Sequence, residues 1–180
     1  MIFHQTRLPG AFVIELEKIA DSRGFFAESF SSRQFEQRGL NTRIAQCNVS
    51  FNHRKGTLRG MHFQIAPATE VKIVRCTRGA IFDAIVDIRP GSATFGQWFG
   101  VELTADNHKA LYVPEMFAHG YQTLEDNSEV TYQVSEFYTP SAARGYRYDD
   151  AAFGIQWPLA ASEISPRDAA WGPFEGNSGK

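Results

Sequence analysis

The chain has 180 residues, with 18 Lys and Arg set against 20 Asp and Glu, 15 Phe, 6 Tyr, 3 Trp and two Cys. That is about one domain's length, enough to bury a core without disulfides or a structural metal, and the aromatic content excludes a disordered chain. A formal net charge of -2 gives no global field for nucleic acid or an anionic membrane, so an anionic ligand has to be held by a few local cations in a pocket.

The N-terminus, Met1 to Gln5, has no cationic stretch followed by an apolar one, and no apolar run approaches a membrane span. The chain therefore reads as soluble, untargeted and cytoplasmic. The segment Asp21 to Glu28 is a turn that places Arg23 beside Phe25, Phe26 and the acid Glu28. Such a grouping suits a nucleotide, with Arg on phosphate, a ring against the base and a carboxylate on an N–H or ribose hydroxyl. An exposed Arg–Glu pair beside a hydrophobic strand is the competing reading. Ser32 to Gly39 is a short helix with a Ser cap and a closing Gly. Cys47 and Cys76 lie on apolar-rich stretches without a second ligand at zinc spacing, which predicts reduced, buried thiols.

From Leu58 to Val134 short segments rich in Val, Ile, Phe and Tyr alternate with Gly, Pro, Asn and Asp. They predict strands at Val71 to Cys76, Ala80 to Ile88, Gln97 to Leu103, Ala110 to Val113 and Val130 to Val134, the pattern of a sandwich or barrel. Ser165 to Ala170 starts a turn of helix with Pro in its first turn. No repeat or linker interrupts the chain, so residues 1–180 form one domain, with about 172–180 a flexible tail.

Strand parity turns these segments into a candidate site. Lys72 shares a face with Val74 and Cys76, Asp83 with Ile81 and Ile85, and Tyr132 with Val130 and Val134. Polar groups on an inner wall are costly unless they pair or do chemistry, although Lys72 could equally point outward. His62 shares its face with Gly60 and Gln64, and His119 lies among aromatic residues; each is either a satisfied core histidine or a catalyst. His4, His53 and His108 belong to the surface. Two imidazoles with Gln64 in place of a second His, and no thiolate, make a poor transition-metal site, so the barrel reads as metal-free. No Gly-rich phosphate loop is present; Arg23, Arg59 and Lys72 are the anion-binding candidates.

These residues fall in motifs that resemble the dTDP-4-dehydrorhamnose 3,5-epimerase family over about Leu8 to Trp171. The motifs are Asp-x-Arg-Gly-x-Phe-x-Glu at Asp21 to Glu28, Gln-x-Asn-x-Ser at Gln46 to Ser50 and Leu-Arg-Gly-x-His-Phe-Gln at Leu58 to Gln64. Lys-x-Val-Arg at Lys72 to Arg75, Phe-Ala-His-Gly at Phe117 to Gly120, the Tyr132 to Pro140 run and Ile155-Gln156-Trp157-Pro158 follow in order. The resemblance implies an all-β, cupin-type antiparallel jelly-roll barrel with a few short accessory helices, metal-free and without a cofactor. It implies a homodimer with exchanged N-terminal strands and a nucleotide-sugar substrate. It further implies His62 as base, Asp168 behind it and Tyr132 as acid. Arg23, Glu28, Gln46, Asn48, Arg59, Lys72 and His119 would contact the nucleotide sugar, Tyr138 would stack on the base, and Phe26 is a further aromatic candidate.

The chemistry needs these residue types. Removing a proton next to a ketone takes a base at carbon and a donor or cation where charge collects on oxygen. His62, oriented by Asp168 or by Asp83, supplies the first and Lys72 the second. Inversion also needs a donor on the opposite face, for which Tyr132 is the candidate. The sequence departs from the family pattern at Ala143, where Glu is usual, at Glu70, where Gln is usual, at Met116, where Gly is usual, and at Tyr148, where Trp is usual. The expected activity is epimerisation at C3 and C5 of a dTDP-4-keto-6-deoxyhexose. The rivals are a single-centre epimerase or 3,4-ketoisomerase on a related sugar nucleotide, and a non-catalytic sugar-nucleotide-binding cupin.

Overall fold

The Val-, Ile- and Phe-rich segments form strands close to where their patterning places them. The structure is a computed structural model and describes residues 1–176. In chain order the elements are β1 (Ile2–Gln5), β2 (Phe12–Glu15), β3 (Ile19–Asp21), β4 (Gly24–Phe26), α1 (Ser32–Glu36), β5 (Gln46–Asn52), β6 (Thr57–Gln64), β7 (Lys72–Arg78) and β8 (Ala80–Asp87). They continue with β9 (Trp98–Thr104), β10 (Ala110–Val113), β11 (Phe117–Thr123), β12 (Ser128–Val134), β13 (Ala143–Gly145), β14 (Glu163–Ile164) and α2 (Pro166–Ala169).

One sheet runs β1-β2-β10-β7-β12-β5 and the other β13-β6-β11-β8-β9, with β14 joining β6 in parallel and β3-β4 standing apart as a hairpin. Face to face, the two sheets make the cupin-type antiparallel jelly roll. Ala110–Val113 matches its expected bounds, and the other four expected strands shift by one or two residues at their ends.

Alternation along the strands serves two apolar environments. Val74, Cys76, Ile81, Ile85, Leu103, Leu111 and Val130 fill the space between the sheets. The outward residues are covered too. Ile73, Ala110 and Tyr112 lie under Phe35 of α1, while Met61, Val86 and Ala118 lie under Phe153 and partly buried Tyr146, Trp157 and Phe174. Burying both faces of a sheet removes most of the polar alternation a one-sided sheet would show, so inward polar residues stand out. Burial pushes the Cys76 thiol up to about 11, which leaves it inert at neutral pH.

Cys47 departs from expectation. It is exposed, because β5 is an edge strand whose residues alternate between half-buried and exposed, and Cys47 falls on the outward set. The first part of the expected tail packs against the body of the protein. Phe174 lies 4.7 Å from the Phe153 ring and 5.1 Å from that of Tyr146, so the chain is seated there; residues 177–180 lie outside the described residues. No helix among the described residues is long and apolar enough to cross a membrane.

The feature that positions the site is a bulge in β6. His62 pairs with His119 and Arg59 with Tyr121, so three steps on β6 oppose two on β11. Two glycines permit the close approach. A Cβ on Gly60, where φ is +134°, would fall 2.5 Å from Gly120 Cα, and one on Gly120 would fall 2.6 Å from Met61 Sδ and 2.7 Å from the Arg59 carbonyl oxygen.

Gly120→Ala should therefore destabilise the fold by about 3 kcal/mol, in the range of core overpacking against backbone. Gly172→Ala, where a Cβ meets nothing within 4 Å, should change stability by less than about 0.5 kcal/mol. Urea unfolding of the two variants measures the difference.

Candidate active site

At one end of the space between the sheets the inward residues change from apolar to polar. A cavity of about 350 Å³ opens there, walled by Gln46, Asn48, His62, Lys72 and Tyr132 and rimmed by Tyr138, Arg144 and Arg167. A recess of about 140 Å³ continues from it, shares His62, Lys72 and Tyr132, and adds Ser50, Arg59, His119 and Tyr121. His62 comes from one sheet and Tyr132 and Lys72 from the other, so the catalytic candidates face each other across the gap.

His62 Nε2 lies 2.7 Å from Asp168 Oδ1. Asp168 is brought there by α2: the Ser165 side chain accepts a hydrogen bond from the Asp168 backbone N–H at 3.0 Å, and Pro166 starts the helix. The other carboxylate oxygen accepts from the Gly60 N–H at 3.3 Å. Burial alone would raise the Asp168 pKa, but the hydrogen bond and charge of His62, with the Gly60 N–H, outweigh it and hold the group below the ordinary aspartate value. The ionised carboxylate fixes the imidazole and leaves the second ring nitrogen for the cavity. The His62 side chain is 41% exposed, against 6% for Asp168, which is the arrangement of a reactive group backed by a buried one.

Asp83, the alternative partner of His62, is engaged elsewhere. Its Oδ1 lies 2.6 Å from His119 Nε2, both side chains are buried, and its Oδ2 has no partner. Lys72 points inward, not outward: its ammonium lies 3.0 Å from Glu70 Oε1 and 3.5 Å from the His62 carbonyl oxygen. Tyr132 stands opposite Asn48 on β5 and Val74 on β7. Burial chiefly raises its pKa; Arg59 opposes the rise and Glu70 adds to it, so the hydroxyl stays protonated at neutral pH.

Arg59 donates to Asn52 Oδ1 at 2.8 Å, and Gln46 Nε2 donates to Asn48 Oδ1 at 2.6 Å. Tyr138 is exposed at the rim, where its hydroxyl accepts from Arg167 at 3.2 Å. Arg23, Phe26 and Glu28 are not brought to this cavity. The Arg23 side chain is 87% exposed and paired with Asp21 at 2.6 Å, not with Glu28; Glu28 accepts from Gln34 at 2.9 Å. Phe26 and Glu28 line a separate hollow with Met1, Glu17 and Ile19.

Sequence reasoning missed Tyr121, Arg144 and Arg167 as lining residues. Tyr121 shares a strand face with His119, and Arg167 precedes Asp168, so both had a signal; Arg144 enters through the pairing of β13 with β6 and had none. Among the described residues no three His, Cys, Asp or Glu converge as a metal site.

The family model described as dTDP-4-dehydrorhamnose 3,5-epimerase matches residues 5–176. A dTDP-4-dehydrorhamnose 3,5-epimerase of Salmonella typhimurium is 42% identical over 172 residues, covering 94% of this chain and 93% of its own. Among solved structures, one from Bacillus anthracis with TDP and PPi bound superposes with a TM-score of 0.92 at 38% identity, covering 96% of this chain and 99% of its own. A dTDP-6-deoxy-D-glucose-3,5-epimerase of Legionella pneumophila in complex with dTDP-4-keto-L-rhamnose gives 0.89 at 37% identity, covering 96% and 92%.

The Asp168 shift has a signed consequence. Its folded pKa lies below the ordinary value, so the stabilisation it gives is present above that value and is lost as pH falls through the folded one. Asp168→Asn should lower the thermal midpoint near pH 7, and the gap to the parent should narrow as pH approaches about 3. Thermal unfolding of both proteins across this pH range measures it.

Proposed function

The chain belongs to the dTDP-4-dehydrorhamnose 3,5-epimerase family, and on that premise we propose that His62, Lys72 and Tyr132 invert C3 and C5 of a dTDP-4-keto-6-deoxyhexose. The observation that carries the reading is the opposition of His62, on one sheet and backed by Asp168 from α2, to Tyr132 and Lys72 on the other, around the cavity and its recess.

Both C3 and C5 adjoin the C4 ketone, so their protons are acidic enough for an imidazole held by a carboxylate. His62 takes the proton with the ring nitrogen not bonded to Asp168, and the C–H pair moves to the enolate with charge on O4. The Lys72 ammonium stabilises that charge in a poorly hydrated cavity, where it counts for more than in water. Tyr132 then gives its hydroxyl proton to the opposite face of the carbon, and the ketone returns. His62 releases its proton to solvent and Tyr132 takes one back, so the cycle balances without an oxidant or reductant.

Arg59 and His119 in the recess suit the diphosphate, Gln46 and Asn48 the sugar or nucleoside, and Tyr138 the base. Exchange of the N-terminal strands in a homodimer would bring Arg23, Phe26 and Glu28 to the substrate cavity of the partner. The exposure of Ile19 at 70% and Phe26 at 68% on the free hairpin supports that assembly. The TDP bound in the Bacillus anthracis structure and the dTDP-4-keto-L-rhamnose bound in the Legionella pneumophila one support thymidine as the nucleoside and a 4-keto sugar as the substrate.

His62→Ala should abolish exchange of the C3 and C5 protons with deuterated water, a loss of about a hundredfold or more. Proton NMR reads this directly, and exchange persisting at both carbons would exclude the base assignment. Tyr132→Phe should still exchange at least one centre while forming little inverted product; full turnover would exclude it as acid. The same spectra show whether one or two centres invert.

Strand exchange makes its own prediction. Arg23→Ala and His62→Ala proteins, each weak alone, should recover activity when refolded together, because one cavity of the mixed dimer then holds both native residues. Absence of recovery in a verified mixed dimer would place Arg23 outside the site.

A further inference from the structure

Among the buried charged side chains that line the cavity, Glu70 has no part in the scheme above. Glu70, just before β7, lies with Lys72 on the cavity wall, and the two side chains are only 12% and 9% exposed. Its Oε1 lies 3.0 Å from the Lys72 ammonium, and its Oε2 accepts from Gln64 Nε2 at 3.4 Å. Gln64 is itself fixed: it donates to the carbonyls of Ala68 and Phe137 at 3.0 and 3.2 Å and accepts from the Thr139 N–H at 2.7 Å. The carboxylate thus has a rigid neighbour on one side and a four-carbon ammonium stem on the other. We infer that Glu70 is a positioning residue of this site: its carboxylate holds the Lys72 ammonium where enolate charge collects and adds an anion to the cavity that Tyr132 lines.

The inference rests on the roles proposed above for Lys72 and Tyr132. A buried ammonium without a partner would swing toward water, and a carboxylate at 3.0 Å holds it in place. The groups facing Tyr132 come from several elements: Arg59 and His62 from β6, Lys72 with Glu70 from β7 and the turn before it, and His119 and Tyr121 from β11. Arg59 favours ionisation of the phenol, whereas burial and Glu70 oppose it. Burial is the larger influence, and Glu70 is the carboxylate that acts with it against the guanidinium. The family's usual Gln at this position has one acceptor oxygen for two donors, the Lys72 ammonium and Gln64 Nε2, and carries no charge, so the effect on Tyr132 belongs to this chain's residue.

The test measures kcat, KM and the pH profile of epimerisation for the parent, Glu70→Gln, Glu70→Asp and Tyr132→Phe. Glu70→Gln keeps the shape and removes the charge. It should lower kcat about tenfold with KM within about twofold, and move the basic limb of the profile down by about half a pH unit, because Tyr132 then ionises more readily. Glu70→Asp should return the limb toward its original place. A basic limb that vanishes in Tyr132→Phe but is unmoved by Glu70→Gln overturns the inference while leaving the acid assignment standing. A limb that survives in Tyr132→Phe overturns both. Loss confined to KM or to thermal stability, with the limb unmoved, makes Glu70 merely structural and likewise overturns it.

Discussion

The contact of Gly60 with Gly120 sets the inner wall on which the candidate site is built. In a regular strand, residues three apart point to opposite faces, so Arg59 and His62 could not both line one cavity. The extra residue in β6 resets the parity between them: His62 faces inward opposite His119, and Arg59 faces inward opposite Tyr121. The same bulge turns the Gly60 N–H toward Asp168. One local irregularity thereby brings a general-base candidate, its carboxylate and an anion-binding guanidinium to a common point. Side chains at either glycine would separate the backbones and undo all three placements.

Charge within the cavity is arranged by pairs. His62 with Asp168, His119 with Asp83 and Lys72 with Glu70 each join a cation or potential cation to its own carboxylate. Buried charges are tolerated only when partnered, and this is why the inner wall can be so polar. Three guanidiniums that line the cavity or its recess are left out of the pairing. Arg59 rests on the Asn52 amide oxygen, Arg144 on the carbonyls of Ser141 and Ala143, and Arg167 on the Tyr138 hydroxyl. Neutral partners leave their positive charge unspent, and all three line the cavity or its recess. A chain of nearly neutral total charge can therefore still offer local positive potential to a diphosphate.

Parity read from the sequence put Asp83 and Tyr132 on faces with apolar neighbours because β8 and β12 are regular over those residues, while leaving the direction of Lys72 open. It could not relate Arg59 to His62, since a bulge leaves no mark in hydrophobic alternation beyond a glycine. Asp168 lies 106 residues from His62, and only the motif resemblance connected them; the local Ser-Pro signal gave the helical turn but not its target. The strands β1 to β4 escaped because they are short, and in the β3–β4 hairpin the apolar Ile19, Phe25 and Phe26 are exposed as well. Cys47 was misplaced for a related reason: composition cannot tell an edge strand from a central one. The fold class was thus legible from strand spacing, while the site needed motifs to join distant segments.

The departures from the family pattern fall on irregular backbone or short edge strands, whereas His62, Lys72, Tyr132 and His119 sit on long strands within the sheets. Met116 occupies the turn between β10 and β11 with φ at +56°, a conformation that costs a side-chain-bearing residue about 1 kcal/mol relative to glycine. Ala143 begins β13, a three-residue edge strand, and lines the cavity without filling it. Glu70 precedes β7 and reaches inward from the turn. Long paired strands hold reacting groups rigidly, and their ladders tolerate little change. Turns and short edges can alter the charge or width of the cavity at small cost to the fold. That division lets contacts around a substrate vary while the groups that handle its protons keep their geometry.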